Sequence, residues 1–86
     1  MWRREKTLAR VLRGTSDASI AFADLCDLLT SLRFSVRVRG SHHIFSRDDI
    51  EEILNLQPKG SNAKAYQVKQ VRQVILKYAL ARTSDE

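Results

Sequence analysis

Hydrophobic residues recur at helical spacing in two stretches of the first third of the chain. The first stretch, residues 2–13, predicts a short basic helix whose apolar stripe consists of Trp2, Leu8, Val11 and Leu12. The second, residues 20–32, predicts an amphipathic helix with apolar positions at Ile20, Phe22, Leu25, Leu28, Leu29 and Leu32. Arg33 follows where helices commonly end on glycine, so we expect a connection that is slightly strained or differently shaped.

Residues 34–39 alternate strictly, which is typical of a half-buried strand. One face carries Phe34, Val36 and Val38, and the other carries Ser35, Arg37 and Arg39. Gly40 and Ser41 are a natural hairpin turn before a second strand over residues 42–46. Residues 50–57 allow a helix or a third strand, and the shortness of this segment between turns favours the strand.

The last part of the chain predicts a loop and a helix. The composition of residues 58–62 is that of a loop. From residue 64 onward a helical pattern follows, with apolar positions at Tyr66, Val68, Val71, Ile75, Tyr78 and Ala79. We expect residues 82–86 to fray.

The order of these elements predicts an α+β fold. Residues 20–80 follow the order α-β-β-β-α of double-stranded-RNA-binding domains, in which helices cover one face of a three-stranded antiparallel sheet. Residues 1–14 add an accessory N-terminal helix, and residues 1–86 are expected to form a single domain. This topology suggests RNA as a partner, but it does not indicate catalysis.

The charge balance narrows the class of partner. Lys and Arg number 15 against 10 Asp and Glu, which gives a formal net charge of +5. Such a chain suits a polyanion or an acidic protein, and charge alone does not choose among RNA, DNA, an anionic membrane and an acidic protein. No apolar run approaches the roughly 20 residues that cross a bilayer, and no signal-peptide pattern opens the chain, so we expect no membrane partner and a cytoplasmic location.

Neither the cysteine nor the histidines predict a metal site. Cys26 is the only cysteine and lies among leucines in a helical pattern, so it is more simply a buried hydrophobe than a nucleophile. His42 and His43 are adjacent on a strand and cannot both easily ligate one ion. Asp48 and Asp49 are more simply turn carboxylates. We expect no metal and no cofactor to be required.

The stretch RGSHHIFSRDDIEEILNLQPKGSNAKAYQVKQVRQVILKYAL, residues 39–80, resembles the HicA toxin family of bacterial toxin–antitoxin systems. The hallmark of that family is a glycine-serine turn followed by a histidine on a strand, a third strand, a loop and a closing helix. The likeness extends over roughly residues 21–80. It implies a double-stranded-RNA-binding-like fold, a ribonuclease that cuts messenger RNA, and a HicB antitoxin that keeps the enzyme inactive.

The resemblance also selects one histidine. The family's catalytic histidine stands three positions after the turn glycine, which carries over to Gly40 and His43. His42 then occupies the variable position, and strand alternation sends it to the opposite face. Arg33 and Ala79 stand where family members often have glycine, and neither departure touches the histidine motif.

A histidine suits metal-independent RNA cleavage because its unperturbed pKa of about 6.5 allows proton transfer near neutral pH. Removing the proton of a ribose 2′-hydroxyl creates an internal nucleophile that attacks the adjacent phosphate. The predicted RNA-binding residues around His43 are Arg37, Arg39, Ser41, Arg47 and Lys59. Each cation is explained equally well as a solvated surface residue, and Ser41 equally well as a turn former.

Two other functions remain open from the sequence. A non-catalytic RNA-binding module would use the same basic sheet, and a protein-interaction domain would dock an acidic partner on it. Apart from Phe45, Tyr66 and Tyr78 there are few aromatic residues that could stack on bases, and Phe45 and Tyr78 are explained equally well as core residues. We therefore expect weak sequence preference and recognition of the backbone through cations.

Overall fold

The computed structural model describes residues 3–81, which form an α+β protein. Its elements in chain order are α1 (Arg3–Arg13), a 3-10 turn (Asp17–Ser19), α2 (Phe22–Ser31), β1 (Ser35–Arg39), β2 (His42–Arg47), β3 (Ile50–Leu56), β4 (Pro58–Lys59), β5 (Asn62–Ala63) and α3 (Ala65–Lys77). The predictions for Trp2 and for fraying of residues 82–86 lie outside the described residues. Among residues 3–81, no helix is long and apolar enough to cross a membrane.

β1, β2 and β3 form an antiparallel sheet with β2 in the centre. This confirms the prediction that residues 50–57 contain a third strand. Val38 of β1 and Leu56 of β3 pair with His43 from either side. Because directly paired residues of neighbouring strands point to the same face, these three side chains share one face of the sheet.

The turn between β1 and β2 has the predicted two residues, Gly40 and Ser41. Gly40 has a φ of 61°, which is the left-handed value that a type II′ hairpin turn requires at its first central position. The flanking residues Arg39 and His42 pair with each other. A turn of this length therefore fixes the register of the whole hairpin.

The helices cover only part of the sheet. Phe45, Leu54 and Leu56 on β2 and β3 are buried in the core. Val36 and Val38 of β1 point to the same face but remain 46% and 56% exposed. The predicted alternation is therefore right, and the predicted burial of these two valines is wrong. β1 is an edge strand, and its face lies beyond the area that the helices cover.

The predicted loop over residues 58–62 is instead the start of a small hairpin, β4 and β5. Its backbone is tied to the beginning of α2: the N–H of Ala63 donates to the carbonyl of Ile20 at 2.9 Å, and the N–H of Phe22 donates to the carbonyl of Ser61 at 3.0 Å. Because Ile20 and Ala21 make sheet-like contacts with this hairpin, α2 begins at Phe22 and not at residue 20.

The N-terminal helix α1 packs onto α2 and α3, with Val11 fully buried in the common core. Arg72 of α3 holds this arrangement together. Its guanidinium donates to the carbonyl of Val11 at 3.1 Å and forms a two-point ion pair with Asp17, at 2.9 and 3.2 Å.

Both α2 and α3 end in a left-handed residue that is not glycine. Arg33 has a φ of 73° and Ala79 a φ of 54°. After each, the next residue closes the helix by donating to the carbonyl five positions earlier, Phe34 to Leu29 and Leu80 to Ile75. This is the Schellman arrangement, in which glycine is preferred, and the strained connection expected at Arg33 is confirmed.

Candidate active site around His43

His43 is the second residue of β2, and its side chain lies on the helix-facing side of the sheet. Its ring meets the ring of Phe22 edge to face, with centroids 4.9 Å apart and planes at 80°. Phe22 is the first residue of α2, so the helix start forms a wall against one side of the imidazole. The histidine is half-buried and is held in one orientation at the end of the sheet.

The two ring nitrogens of His43 differ in their surroundings. Nδ1 is buried and has no hydrogen-bond partner within residues 3–81, whereas Nε2 is not buried. A buried polar atom without a partner is uncommon in folded proteins and often marks a functional group or a missing water. Nε2 is therefore the nitrogen through which this ring can exchange a proton with a bound molecule.

A chain of hydrogen bonds connects the hairpin turn with the beginning of α3. The amide nitrogen of Gln57 donates to the hydroxyl of Ser41 at 2.9 Å, and Nζ of Lys64 donates to the amide oxygen of Gln57 at 3.1 Å. The backbone N–H of Gln57 donates to Oε1 of Gln67 at 3.1 Å. Ser41 thus lies two residues from His43 and is joined to a lysine that is distant in sequence.

Gln57 and Lys64 were not identified by the sequence analysis. Gln57 directly follows β3 and Lys64 directly precedes α3, and neither position belongs to a recognisable motif. No periodicity pairs them with Ser41, because the contact depends on how the β4–β5 hairpin folds back between them. The sequence contained no signal for this part of the site.

The predicted binding residue Lys59 lies in an open groove at the same end of the molecule. The residues that line this groove are Ala18, Lys59, Asn62, Ala63, Lys64, Ala65 and Tyr66. Lys59 and Lys64 form no ion pair with any carboxylate of residues 3–81. The groove therefore presents two cations and one aromatic side chain without a neighbouring negative charge.

Arg37 and Arg39 are not beside His43, contrary to the idea that they hold phosphate next to it. They pair with Ile44 and His42, so they lie on the opposite, uncovered face of the sheet. His42 shares that face, and its Nδ1 lies 3.0 Å from Oδ1 of Asn55. The two-residue turn could have revealed this arrangement, because it pairs Arg39 with His42 and leaves His43 on the face of the valines.

Arg47 has a structural role and does not join the site. Its Nη1 donates to the carbonyl of Leu32 at 2.8 Å, and its Nε pairs with Oδ1 of Asp49 at 2.8 Å. It satisfies a carbonyl at the end of α2, where helical carbonyls lack partners. It stands at the far end of β2 from His43, about 13 Å away at the rise of a strand.

Other ionisable groups lie outside this region. Burial raises the pKa of the Cys26 thiol to about 11, so the thiolate form that a nucleophile needs is scarce at neutral pH. Within residues 3–81, no three His, Cys, Asp or Glu side chains come together as a metal-ligand set. Of the predicted binding residues, the structure brings Ser41 and Lys59 to the end of the sheet that carries His43.

Comparisons with models of protein families, with curated proteins and with solved structures found no match to this chain. The resemblance to the HicA family therefore stands on the quoted residues alone. The geometry around His43 is the basis on which a function is argued.

Proposed function

We propose that this protein is an endoribonuclease toxin of the HicA type that cuts single-stranded messenger RNA with His43. The observation that carries the proposal is the position of the imidazole. Phe22 packs edge to face against the ring, Nδ1 is buried without a partner within residues 3–81, and the turn residue Ser41 is joined through Gln57 to the cation Lys64. Attack on a phosphodiester requires a proton acceptor and positive charge, and His43 and Lys64 are linked through Ser41 and Gln57.

The proposed reaction uses the nucleophile that RNA itself supplies. Nε2 of His43 takes the proton of a ribose 2′-hydroxyl, and the 2′-oxygen forms a bond to the adjacent phosphorus. The bond from phosphorus to the 5′-oxygen breaks, and water protonates this oxygen. The products are a 2′,3′-cyclic phosphate and a free 5′-hydroxyl, so neither a metal ion nor a protein nucleophile is needed. The ammonium of Lys64 is available to stabilise charge on the phosphorane.

The finer description of the fold belongs to the same proposal. The order α2, β1, β2, β3, α3 and the antiparallel sheet support a double-stranded-RNA-binding-like core. The resemblance supports an acidic HicB-type antitoxin as the inhibitory partner and a cytoplasmic site of action. A net charge of +5 suits both an acidic protein and RNA.

The test of this proposal compares the two neighbouring histidines. His43→Ala should lower RNA cleavage by about 100-fold or more, because general-base catalysis commonly contributes that much, and it should relieve growth inhibition. His42→Ala is the matched control and should cleave normally, since His42 lies on the other face. Cleavage should persist in excess chelator. Full toxicity of a folded His43→Ala protein would contradict the proposal.

A non-catalytic RNA-binding module is the second candidate. One observation favours it: Nδ1 of His43 has no hydrogen-bond partner within residues 3–81, so no described group sets the tautomer that a catalytic base would need. This function predicts salt-sensitive RNA binding, intact RNA after long incubation, and no effect of His43→Ala on binding.

A further inference from the structure

The groove beside the proposed active site combines features that the cleavage reaction does not by itself require. It lies between the 3-10 turn, the β4–β5 hairpin and the first turn of α3. Three small side chains, Ala18, Ala63 and Ala65, line it. Lys59, Lys64 and Tyr66 line it as well, and no acidic residue does. The surface is therefore broad, positively charged and open to solvent.

Tyr66 is an exposed aromatic residue whose hydroxyl accepts a hydrogen bond from the neighbouring, buried Gln67. Its side chain is 58% exposed, while the next residue, Gln67, is only 3% exposed. Nε2 of Gln67 donates to the hydroxyl of Tyr66 at 3.4 Å and to the carbonyl of Asn55 at 3.3 Å. A ring that is already oriented loses little conformational entropy when a flat ligand stacks on it.

Lys59 and Lys64 indicate that a ligand of this groove is negatively charged. Lys64 is tethered to Gln57 through Nζ, and neither Lys64 nor Lys59 is neutralised by a carboxylate of residues 3–81. Two ammonium groups without a carboxylate partner, in the same groove as an accessible tyrosine, suit a polymer that alternates phosphates with flat bases. A duplex keeps its bases stacked on one another, so only a single strand can place one on Tyr66.

Two sets of contacts connect residues of the groove with His43. Gln57 contacts both Lys64 and Ser41, which lies two residues before the histidine. On the other side, the isolated bridge of Asn62 with Ala21 brings the groove next to Phe22, whose ring touches the imidazole. A strand that occupies the groove would therefore extend toward His43.

From these contacts we infer that the groove is a base-stacking subsite for single-stranded RNA, with one base on Tyr66 and the flanking phosphates at Lys59 and Lys64. This inference rests on the proposed ribonuclease function and adds how the substrate is held. It assigns substrate binding to the face of His43 and not to the outer face with Arg37 and Arg39.

The experiment measures binding of a fluorescent 2′-O-methyl RNA 10-mer, which lacks the attacking hydroxyl and cannot be cleaved. Tyr66→Ala should weaken binding about 10-fold, and Tyr66→Phe should weaken it less, because phenylalanine keeps the stacking ring but loses the hydrogen bond from Gln67 that orients it. Replacing Lys59 and Lys64 together by alanine should lower the slope of log affinity against log salt by about 1.4, at about 0.7 per phosphate contact on a single strand. Lys6→Ala on α1 removes one positive charge outside the groove; it is the control for charge and should leave the slope unchanged.

The outcomes separate the subsite from the catalytic proposal. Unchanged probe binding by Tyr66→Ala, with cleavage still abolished by His43→Ala, would overturn the subsite and leave the ribonuclease in place. Probe binding that depends on Tyr66, together with cleavage that survives His43→Ala, would support the subsite in a protein whose catalytic residue lies elsewhere. If poly-glutamate binds in place of the probe and loses affinity on the same substitutions, the groove is a protein site and the RNA assignment is wrong.

Discussion

The rings of Phe22 and His43 meet edge to face, with centroids 4.9 Å apart. The contact joins the first residue of α2 to the second residue of β2, so the orientation of the imidazole depends on how α2 docks against the sheet. The backbone N–H of Phe22 also donates to the carbonyl of Ser61. Phe22 is therefore a positioning residue that connects the candidate catalytic group with the β4–β5 hairpin.

Phe22→Leu should lower the rate of RNA cleavage about 10-fold while KM changes little. Leucine keeps the core filled, at a cost of about 1 kcal/mol in the free energy of unfolding, but it removes the flat wall against the imidazole. The ring protons of His43 should lose the aromatic ring-current shift in the NMR spectrum, which reports the contact directly. Phe34→Leu is the control. Phe34 is buried directly before the start of β1, at the end of this strand away from the turn that precedes His43. Equal loss of activity in both variants at equal stability would contradict a positioning role.

Arg33→Gly and Ala79→Gly should each stabilise the protein, by about 0.5–1 kcal/mol. Both residues have positive φ, which costs a residue with a Cβ roughly 1–2 kcal/mol and costs glycine almost nothing. Glycine loses more chain entropy on folding, so the net gain in stability is smaller than this cost. Urea denaturation measures the change. Thr30→Gly, inside α2, is the control and should destabilise by about 0.3–0.5 kcal/mol, because glycine has a lower helix propensity than threonine. Destabilisation by glycine at residues 33 and 79 would mean that these connections are not strained.

Arg47→Ala should lower the free energy of unfolding by about 1–2 kcal/mol without reducing cleavage by the folded protein. Its guanidinium is largely shielded from solvent, and the substitution leaves the carbonyl of Leu32 without its donor. Arg37→Ala, on the uncovered face, should change stability by less than about 0.5 kcal/mol. Chemical denaturation and a cleavage assay at 25 °C test both variants. A loss of cleavage in stable Arg47→Ala protein would restore this arginine to the site.

Stability should fall in strong acid partly because of Glu52. Hydrogen bonds from Lys77 and Tyr78 lower the pKa of this carboxyl from 4.5 to about 2. Because the folded pKa lies below the unfolded one, the stabilisation is present above about pH 4.5 and disappears as the pH falls toward 2. The hydrogen bond with Glu52 also raises the pKa of Lys77 above its ordinary value of 10.5. The stabilisation that Lys77 contributes is therefore complete below pH 10.5 and is lost as the pH rises through the pKa of the folded protein.

Glu52→Gln tests this pH dependence. The variant should lose less unfolding free energy than the unchanged protein between pH 5 and pH 2, since glutamine does not titrate. Glu51→Gln removes the same charge from the adjacent position of β3 and serves as the control. If Glu52→Gln and the unchanged protein lose the same unfolding free energy between pH 5 and pH 2, the hydrogen bonds of Glu52 contribute nothing to stability in acid.

The local pattern determined a large part of this structure. Alternation along β2 separates His42 from His43 because successive side chains of a strand point to opposite faces. The Gly40–Ser41 turn sets the hairpin register because a two-residue loop admits only one pairing of its flanks. The helical periods placed α1, α2 and α3 within two residues of their observed starts. All of these features depend on contacts between residues that are close in sequence.

Tertiary packing decided what the pattern could not. Val36 and Val38 have the period of a core face, yet they are 46% and 56% exposed, because the helices of residues 3–81 do not cover this part of the edge strand. Gln57 and Lys64 join Ser41 only because the β4–β5 hairpin folds back against the start of α2. Periodicity states which residues share a face, whereas the distance between elements far apart in sequence depends on the packing of the whole chain. For that reason the sequence by itself separated His42 from His43, whereas only the three-dimensional structure shows that the arginines of β1 lie on the face away from His43 and that Lys64 is linked through Gln57 to Ser41.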